Sequence, residues 1–191
     1  LSDNAFNYPY LKAELRLWGD KIRYQYMSAQ LRRLERLPAT LSTEPQFRKK
    51  LMSTNYLSFK PNEIFEISLF EGLTWQRWDS VSLDLNYAAF VPIIGVNSLV
   101  QSNNQYVAGI YGINLLVNPM DGLMIYGQAM NSLRNGHTGA QIGLKTASLG
   151  IENLNARVEY NWMEMSNYFG SGIEGFYSHY NQSLAHPRGV G

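Results

Sequence analysis

The sequence predicts an all-β protein, a transmembrane antiparallel up-and-down β-barrel. Three observations lead there. Apolar and polar residues alternate along several runs, which puts them on opposite faces of extended strands. The runs approach the ~9–11 residues that a tilted strand needs to cross a bilayer, against a mode of ~5–6 in soluble sheets. Short polar turns alternate with long connections, the rhythm of bacterial outer-membrane barrels with short periplasmic turns and long outer loops.

Composition agrees. Charged residues are 16% of 191, below the ~25% of soluble domains. Aromatics reach 13%, with 13 Tyr, while hydrophobic content is only 45%. That mixture suits a sheet with one apolar and one polar side. It does not suit a bundle of membrane helices, and no apolar run is long enough for one. The net charge of +1 and the scattered basic residues exclude a phosphate-tracking stripe, so no nucleic-acid partner is expected. Without Cys there is no disulfide or thiolate site. No initiator Met or signal peptide is seen, and a mature or partial piece of a longer chain is expected. A soluble β-sandwich or lipocalin-like barrel also gives alternation. Its polar face would be outside, with more strand lysines and shorter strands.

The first hairpin spans residues 10–30. Leu11, Ala13, Leu15 and Leu17 oppose Lys12, Glu14 and Arg16. Gly19-Asp20 turns the chain, and Ile22, Tyr24 and Tyr26 oppose Arg23 and Gln25 on the return. A long basic connection is expected over 31–50. The second hairpin, 51–75, turns at Lys60-Pro61-Asn62-Glu63, on the periplasmic side. Phe65, Ile67, Leu69, Leu73 and Trp75 share the lipid-facing side; Glu66, Ser68, Gly72 and Thr74 share the lumen side. Phe70 and Glu71 break the pattern, and a β-bulge is expected there. A second long connection covers 76–104. Its apolar part, 85–100, is interrupted by Pro92 and Gly95, and is expected to fold inward as a plug or to bury itself among loops.

The third hairpin spans 105–131, with a turn at Asn118 to Gly122. The fourth spans 139–162 and ends on the cleanest alternation, Leu154, Ala156, Val158, Tyr160 and Trp162 against Asn155, Arg157, Glu159 and Asn161. A Gly-, Tyr- and Asn-rich outer loop is expected over 163–191. The total is about eight strands in four hairpins. Tyr10, Trp18, Phe59, Trp75, Trp78, Tyr160 and Trp162 fall near strand ends, as in interfacial girdles.

NLNARVEYNWMEMSNY followed by YSHYNQSLAHPRG resembles the Wzi-like capsule-assembly family of Gram-negative outer-membrane barrels, most closely Bacteroidetes members, some linked to gliding motility. YLSFKPNEIFEISLFEG resembles that family's strand–turn–strand segment, and NPMDGLMIYGQ fits a further hairpin less specifically. The resemblance covers most of the chain, with Leu1 to Arg36 looser. It implies residence in the cell outer membrane and a barrel of roughly eighteen strands, of which this chain supplies under half. It also implies a non-enzymatic role in binding, anchoring or assembling surface polysaccharide. No catalytic residue and no cofactor carry over.

The best interaction candidates are Arg32, Arg33, Arg36, Arg48, Lys49 and Lys50. Facing outward they would attract lipopolysaccharide phosphates or acidic glycans; the alternative reading is a solvated charge run. Lys12, Glu14, Arg16, Arg23, Glu66, Lys145, Arg157 and Glu159 are expected to line the lumen, either as a channel or as ion-paired belts filling it. Tyr168, Phe169, Phe176, Tyr177 and Tyr180 suit sugar stacking or packing of the loop on itself. His137, His179 and His186 lack the convergent partners of a metal site. Ser178 with His179, or Ser183 with His186, stands in no nucleophile elbow. The expected partners are outer-membrane lipid, lipopolysaccharide, surface polysaccharide and other surface proteins. The alternatives are a structural subunit of a motility or secretion complex, and a porin-like channel.

Overall fold

The computed structural model describes residues 8–36, 47–76, 91–101, 107–133, 136–147, 154–164, 178–179 and 182–183. Eight strands form one antiparallel sheet in which every strand pairs with its sequence neighbour, β1 to β8 in order. They are β1 (Tyr10–Leu17), β2 (Ile22–Arg36), β3 (Phe47–Phe59), β4 (Phe65–Gln76), β5 (Val107–Met120), β6 (Leu123–Ser132), β7 (Thr138–Ala147) and β8 (Asn155–Met163). A helix of one to two turns, α1 (Val96–Gln101), lies between β4 and β5 in sequence, and β9 (Ser178–His179) pairs with β10 (Gln182–Ser183). The sheet is not closed: β1 and β8 are its two edges.

The hairpin turns follow local chemistry. Trp18, Gly19 and Asp20 all take left-handed φ, 53°, 61° and 67°, so the first turn uses four residues rather than two. Glycine is the residue that adopts that conformation without Cβ strain; its neighbours Trp18 and Asp20 bear a steric cost there. In the second turn Asn62 Oδ1 accepts from the amides of Ile64 and Phe65 at 3.1 and 2.9 Å. This side chain replaces the hydrogen bonds that the bend takes from the ladder. Lys60 Nζ donates to Glu63 Oε2 at 2.7 Å, and this bond and the ammonium charge hold the Glu63 carboxyl below its ordinary range. Asp121-Gly122 makes a two-residue turn between β5 and β6.

Register assigns the paired strand residues to one face or the other. On the apolar face, Leu15 stands opposite Tyr24, Tyr24 opposite Leu57, Leu57 opposite Leu69 and Leu69 opposite Ile113. The same face continues through Ala129, Ala140 and Trp162. These apolar side chains are the exposed ones: Leu11 is 71% exposed, Ile142 60% and Val158 70%. On β5 and β7 the polar-face residues, including Asn114, Gln141 and Gly143, are more covered than their apolar neighbours. The usual arrangement, apolar inside and polar outside, is reversed through the middle of the sheet.

The buried clusters lie at the end away from the tight turns. Ala29, Leu31 and Met52 pack with Tyr8 and Met27 on the polar side, and Leu73, Trp75 and Val107 pack with Leu51 and Leu133 on the apolar side. Trp75 is therefore a buried core residue and not part of an exposed aromatic girdle.

Three expectations are corrected. Pairing runs without a shift through Phe70 and Glu71, opposite Tyr56 and Asn55 on β3 and Gly112 and Tyr111 on β5, so there is no bulge at these two residues. Glu71 stays on the apolar face because partners wait for it there. Second, α1 lies against β4 and β5 and bonds Glu71, so this part of the expected plug packs on the apolar face rather than on the inward one, while residues 85–90 lie outside the described residues. Third, half of the expected long connection over 31–50 is strand, since β2 runs to Arg36 and β3 starts at Phe47; residues 37–46 lie outside the described residues. A ladder between two basic segments forms because their backbone groups need partners whatever their side chains carry.

Candidate functional site: the polar face

Lys12, Glu14, Arg16, Arg23, Glu66, Lys145, Arg157 and Glu159 all share the polar face by register. The structure sorts them into three groups. On β1 and β2, Glu14 takes Arg16 Nε at 2.7 Å, Lys12 Nζ at 3.6 Å and Gln25 Nε2 at 2.8 Å. In the middle, Tyr56 OH donates to Ser68 Oγ at 2.8 Å, Ser58 Oγ donates to Glu66, and the Arg23 guanidinium lies 5.9 Å from the Tyr56 ring centroid. On β6 to β8, Glu159 accepts from Arg157, from Tyr126 OH and from Gln141 Nε2, the last at 3.0 Å. Arg157 Nε also donates to Tyr126 OH at 3.0 Å.

Each carboxylate thus answers a local problem. Arg16 stands directly opposite Arg23, and Lys145 directly opposite Arg157. Like charges in that position repel. Glu14 and Glu159, two residues along the same strands, draw Arg16 and Arg157 aside. Ion pairs with mixed signs are what a filled, belted interior needs; they also leave hydroxyls and amides between the belts.

The basic residues fall elsewhere. Arg32, Arg33 and Arg36 are in β2, and Arg48, Lys49 and Lys50 are in β3. Arg32 is exposed and stands opposite Lys49. Lys50 is only 1% exposed and opposes Leu31, so it does not face outward as expected. Its ladder position on the covered face, beside the buried Leu31 cluster, keeps it from solvent. The side chains of Arg33, Arg36 and Arg48 lie outside the described residues.

His137 Nδ1 stands 3.5 Å from Glu164 Oε2, and Glu164 also accepts from the Thr138 amide at 2.7 Å. That amide, followed by His137, lowers the Glu164 pKa from its ordinary value. Among the described residues no group of three metal-ligating side chains converges. Tyr168, Phe169, Phe176, Tyr177, Tyr180, His186 and Trp78 lie outside the described residues, as do the side chains of Ser178, His179 and Ser183.

The reading from sequence missed Tyr126, Gln25, Gln141 and the Asn55–Glu71 pair. The weak alternation of Leu123 to Asn131 hid the face of Tyr126; pairing with Gly143 assigns it. No family model, curated protein or solved structure matches the chain.

Proposed function

We propose that the chain is a segment of an outer-membrane β-barrel whose apolar face meets lipid and whose polar face lines the interior, and that the whole barrel binds, anchors or helps assemble surface polysaccharide. The observation that carries the membrane part is the reversed exposure of the sheet. An apolar band of this extent, bare on β1 and on β3 to β8, is costly in water and favourable in hydrocarbon. The open edges agree, because in lipid each edge must be completed by further strands. The polysaccharide part is supported by the resemblance in residues 153–189 and by a polar face that combines hydroxyls, amides and aromatic rings.

Two experiments test the two parts. The intact protein should need detergent and show heat-modifiable gel mobility; free solubility without that shift would remove the membrane part. Charge reversal at Arg32, Arg33 and Arg36 should weaken retention of acidic surface glycan. Unchanged retention would remove those residues from the function. A porin-like channel is the second reading, since the polar face is hydrated in either case; planar-bilayer conductance separates it from a silent, belted interior.

A further inference from the structure

One row of the polar face carries no charge from β3 to β8, and meets Arg23 and Arg16 only on β2 and β1. From β4 to β8 the register sets Ser68 opposite Asn114, Asn114 opposite Gln128, Gln128 opposite Gln141 and Gln141 opposite Asn161. Four neighbouring strands thus present four primary amides in a line. Adjacent strands are ~4.8 Å apart, so the amides repeat at about the length of one pyranose residue in an extended glycan. No hydrogen bond among the described residues occupies the side chains of Asn114, Gln128 or Asn161, and Gln141 uses one N–H on Glu159, which leaves its carbonyl oxygen free to accept.

Two aromatic rings border this row. Phe70 lies across Gly112, where a Cβ would stand 2.6 Å from its Cζ. Tyr126 lies across Gly143, where a Cβ would stand 2.3 Å from its Cζ. In each case the tip of the ring occupies the space that a side chain on the neighbouring strand's glycine would fill. Arg157 lies 5.8 Å from the Tyr126 ring centroid and its Nε donates to Tyr126 OH, so a sugar stacked on that ring would displace this mostly exposed guanidinium.

We propose that this row is a glycan-binding track: Asn114, Gln128, Gln141 and Asn161 hydrogen-bond the hydroxyls of an uncharged stretch of saccharide running across the strands, and Phe70 and Tyr126 stack on its pyranose faces. A primary amide carries two donors and two acceptor lone pairs, the complement of vicinal hydroxyls, each of which donates and accepts. A ring face takes the C–H side of the sugar, which hydroxyls cannot solvate. The track rests on the reading of this face as the barrel interior. It is distinct from the basic residues of β2 and β3, which would take acidic groups.

The test uses the intact protein in detergent, titrated calorimetrically with linear neutral hexasaccharides of glucose, of galactose and of mannose. At least one should bind. The double variant Asn114→Ala, Gln128→Ala should weaken that binding about tenfold or more, and Gly143→Ala, which displaces the Tyr126 ring, should weaken it as well. Heat-modifiable mobility must match the parent protein in each variant, so that loss of binding is not loss of fold. Absence of binding to all three hexasaccharides overturns the track, as does unchanged binding in the double variant. If the hexasaccharides fail while charge reversal at Arg32, Arg33 and Arg36 sheds surface glycan, the track falls and the proposed function stands. If they bind while deletion of the protein leaves glycan retention unchanged, the proposed function falls and the track stands as a saccharide site.

Discussion

Gly112 and Gly143 both lie under an aromatic ring, yet they differ in what an added methyl would meet. At Gly143 the obstacle is the Tyr126 side chain, which can rotate. At Gly112 a Cβ would also stand 2.2 Å from the Ala129 carbonyl oxygen, part of the β6 backbone. A backbone carbonyl in a ladder cannot move without breaking its pairing. Gly112→Ala is therefore expected to destabilise the sheet by about 1–3 kcal/mol, and Gly143→Ala by less. Urea unfolding of the two variants under the same conditions checks the order; equal losses would mean that Ala129 yields as easily as a ring. Glu164 gives the pH prediction. Its folded-state pKa is depressed by the Thr138 amide and then by His137. The linkage sign follows: the contribution is complete above the ordinary carboxylate pKa and is lost as pH falls through the lowered value. Amide exchange at Thr138, corrected for intrinsic rate, should therefore speed up only in acid. Protection that is flat with pH would show that the carboxylate does not hold this strand end.

At the scale of elements, α1 is held by one carboxylate. Glu71 is 2% exposed on the face that carries the apolar band. It accepts from Asn55 Nδ2 at 3.1 Å, from the Ser98 amide at 2.7 Å and from the Ser98 hydroxyl, while Tyr24 OH donates to Asn55 Oδ1 at 2.6 Å. Four elements, β2, β3, β4 and α1, meet through that chain of bonds. Glu71→Ala removes the acceptor and leaves buried donors unmatched, each costing about 1–3 kcal/mol. The expected outcome is release of α1, read as faster exchange at the Ser98 and Leu99 amides while β5 to β7 stay protected. Uniform loss across the sheet would instead make Glu71 a determinant of the whole fold. The outer side of α1 is apolar, with Leu99 80% exposed, so the helix extends the bare band rather than interrupting it.

At the scale of the molecule, one substitution separates lipid from water. Ile142 sits mid-strand in the apolar band of β7. On a lipid face, Arg near the bilayer midplane costs about 2–4 kcal/mol. On a solvated surface away from special features a substitution changes stability by within about 0.5 kcal/mol. Ile142→Arg in the intact, liposome-inserted protein should show the larger cost by denaturant unfolding. A change within the smaller range would put water against this face. On the proposed membrane reading, the open edges at β1 and β8 would need further strands, since an unpaired edge of backbone amides has no solvent in hydrocarbon.

Alternation alone was enough to place the four hairpins and to sort most side chains between two faces, because a strand's period of two is written residue by residue. The strands expected over Leu154 to Trp162 and Tyr10 to Trp18 form as Asn155–Met163 and Tyr10–Leu17, and the turn at Lys60 to Glu63 lies between β3 and β4. Other features depend on which residues stand across from one another, and no period encodes that. Register brought Arg16 against Arg23, laid Tyr126 over Gly143 and set four amides in one row. Backbone pairing carried the basic residues of 31–36 and 47–50 into strands, where composition suggested a loop. Glu71 looked like a fault in the alternation until Asn55 and Ser98 supplied its hydrogen bonds. The sequence by itself determined an all-β chain with one apolar and one polar face. The tertiary structure decided that the apolar face is the bare one and which polar groups meet, because exposure and contact arise only once all eight strands are in register.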